Sequence, residues 1–196
     1  MERDQQPTGG AQGYEFRPKL AFYHANAKGT GGAITLELIP ARAKSDGAIM
    51  LSAANQMTVG NRQGPNPTYP RFDWKNKLVV KLDFADLSRM LQVFRGECES
   101  LEDGRGLYHE TADFTTRIVL QHLIDPVAGY SLELYRKLRS GEETRTHILL
   151  SPYEGLGLAE SIAGSMALVS FGVPMLLPQD QTTAAGRREA DDGRQA

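Results

Sequence analysis

The chain is 196 residues long, 40% hydrophobic, with a formal net charge of −2 and a mean hydropathy of −0.39. That length suffices for one good core or two small ones, and no apolar run in it is long enough to span a bilayer, so no membrane partner is expected. The lone Cys98 excludes an internal disulfide framework and suits a reducing cytoplasm, where the chain is expected to reside.

The N-terminus, MERDQQPTGGAQG, has acids, Gln and Gly where a signal peptide needs an apolar stretch. Residues 1–18 are therefore predicted to be a disordered arm, and 175–196, which lack apolar periodicity, a disordered tail. Between them lies one domain, 19–174, in which two stretches follow the same script. Repeat one covers 20–96 and opens with Phe22-Tyr23-His24; repeat two covers 106–172 and opens with Leu107-Tyr108-His109. In repeat one, Ile34, Leu36 and Leu38 alternate along a strand, Ser45-Asp46-Gly47 reads as a turn, and Ala48–Ala54 is the next strand. The segment 60–67 holds too much Gly, Pro and Asn for a strand interior. FDWKNKLVVKL, 72–82, reads as one strand with Phe72, Trp74, Leu78, Val80 and Leu82 on one face. The other face then sets Lys75, Lys77 and Lys81 side by side. Asp83 and Asp86 form a near relative of the capping box, and Leu87, Met90, Leu91 and Phe94 make the apolar stripe of a helix.

Repeat two gives the same order: strands at 114–123, 129–138 and 144–150, with a hairpin turn at 139–142. Ser151-Pro152-Tyr153-Glu154 is a strong helix start, and the helix runs to about Phe171 before Gly172-Val173-Pro174. Its glycines, Gly155, Gly157 and Gly164, each cost about 1 kcal/mol relative to alanine, so the helix is expected to pack closely on something. Its stripe of Leu156, Leu158, Ile162, Met166 and Val169 is expected to drive oligomerisation, having little to cover in a lone protomer. The fold class read from this order is α+β, an internally duplicated β-β-β-β-α unit.

Charge is unevenly divided. Residues 14–95 carry 12 Lys and Arg against 6 Asp and Glu, and 96–178 carry the reverse. The asymmetry fits a polyanion surface on repeat one; it fits equally a pairing of charge between halves or subunits.

Catalytic patterns are few. Lys28-Gly29-Thr30-Gly31-Gly32 lacks the order of a P-loop and leads into a strand where a P-loop leads into a helix. His24, His109, His122, His147 and Cys98 show no metal-ligand spacing, so neither metal nor cofactor is expected. His24 and His109 hold equivalent repeat positions, which favours a symmetric hydrogen bond at a strand end. Ala163-Gly164-Ser165-Met166-Ala167 falls short of a nucleophile elbow, and Glu142-Glu143 lie in a solvated turn. A binding surface remains. Lys28, Arg62, Arg71, Lys75, Lys77 and Lys81 interleave with Tyr23, Tyr69, Phe72 and Trp74. Single-stranded nucleic acid needs those two ingredients, cations for phosphates and rings for bases. The bland alternative is that Phe72 and Trp74 belong to the core and the lysines only keep the sheet soluble.

Phe72-Asp73-Trp74-Lys75, followed by the strand and the acid-capped helix, resembles the Whirly family, whose members carry a YDW-E/K stretch there. Lys28-Gly29 stands where the family has KGKAAL, although Thr30-Gly31-Gly32-Ala33 replaces the second lysine. Leu107-Tyr108-His109 matches an aromatic-His, Gly129-Tyr130-Ser131-Leu132 resembles G-Y-x-x-S-L, and Tyr153-Glu154 begins a final long helix. The resemblance covers about residues 20–174. It implies two packed antiparallel four-stranded sheets with two helices, a homotetramer joined through helices, and binding of single-stranded DNA with little sequence preference. It implies a role in DNA maintenance or transcription, without catalysis. Two alternatives stand beside it: an RNA-binding or annealing factor, and a protein scaffold that uses the acidic second half.

Overall fold

In this computed structural model the described residues are 19–61, 63 and 65–172; the predicted arm and tail, and Arg62, lie outside them. Apolar alternation builds two antiparallel sheets. The first contains β1 (Lys19–His24), β2 (Gly32–Ile39), β3 (Ala48–Thr58), β4 (Arg71–Phe72) and β5 (Leu78–Leu82). β3 pairs with β2 throughout most of its length, with β5 along its first half and with β4 at its end. The second sheet runs β6 (Leu107–Glu110), β7 (Phe114–Leu123), β8 (Gly129–Leu138), β9 (Glu143–Leu150) in that order. Helix α1 (Phe84–Phe94) follows the first sheet and α2 (Pro152–Phe171) the second. The doubled unit is present, with the two-residue β4 added to the first sheet.

That extra strand corrects the reading of 72–82 as one strand. Asp73 accepts hydrogen bonds from Asn76 N at 3.2 Å and Asn76 Nδ2 at 2.8 Å, and a short 3-10 turn, Trp74–Asn76, results. A local side-chain bond to the backbone here outcompetes the sheet ladder. Lys75 is lifted out of the strand. Lys77 and Lys81 remain on extended backbone, on the solvent side of β5, so the three lysines do not form one row.

The helices cross over between repeats. α1 packs on β7 of the other sheet, and α2 lies against β2 of the first sheet as well as β8. Both capping boxes form. Asp86 N donates to Asp83 Oδ1 at 2.9 Å, and Glu154 accepts from Ser151 N at 2.8 Å and Ser151 Oγ at 2.6 Å. Each box is then bound by the other repeat's histidine. His24 Nε2 lies 2.8 Å from Glu154 Oε1, and His109 Nε2 lies 3.1 Å from Asp86 Oδ2. The symmetric strand-end bond predicted for these histidines is thus an exchange between halves. At its far end α2 is held by the β2–β3 turn, where Ala41 N and Gly47 N donate to the carbonyls of Leu168 and Val169. The Val169 carbonyl is one that the end of a helix leaves unpaired, while Leu168 O also accepts the Gly172 amide.

The two carboxylates respond to pH with opposite signs. Burial works against the Glu154 charge, but the Ser151 hydroxyl and amide and His24 outweigh it and hold the carboxyl below its usual value. Its stabilising contribution is present above the ordinary carboxylate range and is lost as pH falls through the lowered value. For Asp86 burial dominates and pushes the carboxyl up, against the opposing Asp83 amide and His109. That contribution is full at low pH and declines as pH rises through the raised value. Glu154→Gln is expected to cost about 1 kcal/mol at neutral pH, with the difference from the parent shrinking on acidification. Urea unfolding across pH measures this; a pH-independent difference would remove the ionic role of Glu154.

One contiguous core joins the halves. Leu51, Leu82 and Leu87 of repeat one are fully buried with Ile118, Leu120 and Leu134 of repeat two. The core corrects the α2 stripe: Leu158, Ile162 and Val169 are only 2%, 1% and 3% exposed and belong to it, with Met166 packed at its margin. Alternating burial around α2 gives these residues a sheet to cover within the protomer. Of the predicted stripe, Leu156 alone is well exposed, in company with Tyr153 and Phe171. Gly155 is buried and faces Tyr130, whose ring meets Phe94 edge-on at 5.1 Å and whose hydroxyl donates to Phe94 O at 2.9 Å.

Candidate nucleic-acid interface

Odd-numbered residues of β1 point away from the core, and Tyr23 is the last of them. Its strand partner is Ala33, which pairs in turn with Ala54. Two alanines leave a shallow place at this end of the sheet, and the Asp73-capped turn delivers larger rings to its edge. Phe72 lies 5.6 Å from Tyr23 between ring centroids, and Trp74 lies 6.2 Å away at 78°. These three, with Ala25, Met57, Tyr69, Pro70, Arg71, Asp73 and Lys75, line an open groove of about 980 Å³.

The groove offers ring faces and cations together. Tyr23 is 56% exposed and Tyr69 71%, while Phe72 and Trp74 are half-buried. Trp74 is neither a core residue nor a free one. Arg71 and Lys75 are exposed on the rim. The Asp73 carboxyl is held below its usual value, chiefly by the Asn76 side chain, so one negative charge stands beside the two cations.

A neighbouring loop is built with equal care. Gln56, 7% exposed, accepts from Asn26 N at 2.8 Å and Gly31 N at 3.1 Å and donates to Asn26 O and Thr58 O. Asn26 Oδ1 accepts from Lys28 N and Thr30 N. Gly31 must be glycine, since a Cβ there would lie 2.1 Å from His24 O. The loop holds Lys28 in solvent, outside the groove lining.

Of the predicted binding residues, the structure brings together Tyr23, Arg71, Phe72, Trp74 and Lys75. It leaves Lys28, Lys77 and Lys81 elsewhere on the surface, and Arg62 lies outside the described residues. Met57 and Gln56 were missed because β3 runs past Ala54 to Thr58; no local signal shows that extension, which depends on pairing with β4. Among the described residues no group of His, Cys, Asp and Glu is arranged to hold a metal, and no helix is long and apolar enough to cross a membrane.

Comparison with solved structures settles the architecture. The Arabidopsis thaliana protein WHY1 superposes with a TM-score of 0.62 at 17% identity, over 79% of this chain and 91% of that one. The chain has a Whirly-like fold. The plant transcriptional regulator PBF-2 gives a TM-score of 0.59 at 17% identity, over 79% of this chain and 83% of that one. Trypanosome MRP1/MRP2 gives 0.50 at 14% identity, over 78% and 86%. No family model matches the chain, and no curated protein matches it by sequence. The Whirly-like likeness is therefore one of backbone arrangement, and the side chains of the groove stand on their own geometry.

Proposed function

We propose that this Whirly-like protein binds single-stranded DNA, with little sequence preference and without catalysis, in DNA maintenance or transcription. The observation that carries the reading is the groove in which Tyr23, Phe72 and Trp74 cluster beside Arg71 and Lys75. Rings accept any base face, and cations accept any phosphate, so the site discriminates unpaired from paired strands more than one base from another. The likeness to a plant transcriptional regulator supports the process. The exposed Tyr153, Leu156 and Phe171 on α2 support self-association, for which a homotetramer is the proposed state.

Titration with oligo-dT, its RNA counterpart and duplex DNA of equal length, joined to a mass measurement of the oligomer, tests the reading. Binding of the duplex as tight as that of oligo-dT, or no binding at all, would overturn it; tighter binding of RNA would transfer the site to that polymer. Cation removal gives a sharper result. Arg71→Gln and Lys75→Gln are each expected to lower the slope of log affinity against log salt by about 0.7. An unchanged slope would take those residues off the phosphate path.

A further inference from the structure

The second sheet carries its own candidate surface, at the place that corresponds to the aromatic groove. Tyr23 precedes His24 as Tyr108 precedes His109, and both histidines bind the opposite helix cap. In the first sheet the cross-strand row from Tyr23 continues into Ala33 and Ala54. In the second, Tyr108 is paired with Arg117, Arg117 with Tyr135, and Tyr135 with Arg145. Tyrosine and arginine alternate in register across all four strands. With strands about 4.8 Å apart, the two rings stand about 10 Å from each other with a guanidinium between them.

The charges of this face single out Arg117. Glu133 is paired with Arg145, Glu143 with Lys137 at 3.0 Å, and Glu110 with Arg139 at 2.5 Å. Arg117 instead donates to two backbone carbonyls, Arg105 O at 2.7 Å and Gly104 O at 2.9 Å, and its guanidinium lies 5.9 Å from the Tyr108 ring centroid. It has no carboxylate partner among the described residues, so its full charge faces outward from a braced position. Tyr108 is 63% exposed. Tyr135 is half-buried, with its hydroxyl on the side of Glu143. The Arg145 side chain is 67% exposed, and its fork of N–H donors can keep the Glu133 pair on one side and take a phosphate on the other.

We propose that the Tyr108–Arg117–Tyr135–Arg145 row is a second contact surface for a single-stranded polynucleotide. Arg117 and Arg145 take phosphates, and Tyr108 and Tyr135 take bases. The inference deepens the single-strand reading and rests on it. It places nucleic acid on the half of the chain whose net charge is negative, because every acid on that face is already matched by a cation and one arginine is left over.

The test uses the full chain. Tyr108→Ser with Arg145→Ser alters two exposed side chains and leaves the core and the Arg117 brace in place; Tyr108→Phe keeps the ring. Each protein is titrated with labelled oligo-dT and oligo-rU, short (about 8 nucleotides) and long (about 40), against site sizes of about 4–16. Trp74, the sole tryptophan, reports the first groove through its fluorescence. The double variant is expected to bind the long strand about tenfold more weakly and Tyr108→Phe to bind it like the parent, with short-strand quenching of Trp74 unchanged in both. Loss with both polymers assigns the row to either; loss with one assigns it to that one. Unchanged long-strand affinity with Trp74 still quenched overturns the row and leaves the groove standing. Row-dependent binding with Trp74 unquenched overturns the groove instead.

Discussion

Gly155→Ala is expected to destabilise the protein by about 2–3 kcal/mol, although alanine is the better helix former by about 1 kcal/mol. A Cβ at residue 155 would lie 2.0 Å from Tyr130 Cε2 and 2.3 Å from Cδ2, so either α2 or the ring must move. Tyr130 has little freedom. It is stacked on His122 at 4.9 Å, set edge-on to Phe94, and tied by its hydroxyl to the end of α1. Displacing it also forfeits that bond, about 1 kcal/mol. Gly157 and Gly164 are the controls, for a Cβ at either meets nothing within 4 Å. Alanine there is expected to stabilise the protomer by up to about 1 kcal/mol. Urea denaturation of the three variants reads the contrast, and a Gly155→Ala protein as stable as its parent would show that helix and ring do not meet this closely.

The second large effect is expected in the groove. Tyr23→Ser and Trp74→Ala together should weaken binding of oligo-dT about 100-fold, at about 1–3 kcal/mol for each stacked base. Both changes are at the rim of the sheet, where Tyr23 packs on Phe72 and Trp74 among the described rings, so the fold should survive. Lys77→Gln with Lys81→Gln is the matched comparison. Those cations stand on the outer face of the first sheet, at and just before β5 and outside the groove lining, and their removal is expected to change affinity by only about twofold, through the long-range field. The ranking of the two double variants, measured by anisotropy at one salt concentration, decides the matter. A larger loss from the lysine pair would move the binding surface to the open face of the sheet.

Much of this architecture is written locally. The alternation in Ile34-Thr35-Leu36 and the capping signals at Asp83 and Ser151 are properties of a few adjacent residues, and the elements form where those signals stand. What the pattern hides is competition and distance. Phe72–Leu82 alternates well, yet Asp73 diverts it into a turn through a bond that hydrophobic period does not register. The α2 stripe was legible as apolar, but its destination was not, because β2 lies more than a hundred residues earlier in the chain. The same holds for the site. Aromatic and basic residues near 69–75 are visible as a cluster, whereas Tyr23 and Met57 reach it only through strand pairing. His24 and His109 were recognisable as equivalents; that each would seek the other half's helix was not.

That reciprocal arrangement ties the completion of each half to the other. A solitary half-length chain could satisfy its helix cap only by offering the helix to a sister molecule and receiving one in return. Within one chain the exchange needs no second molecule. It also means that neither half can complete its interior without the other, since α2 of the second repeat closes the first sheet.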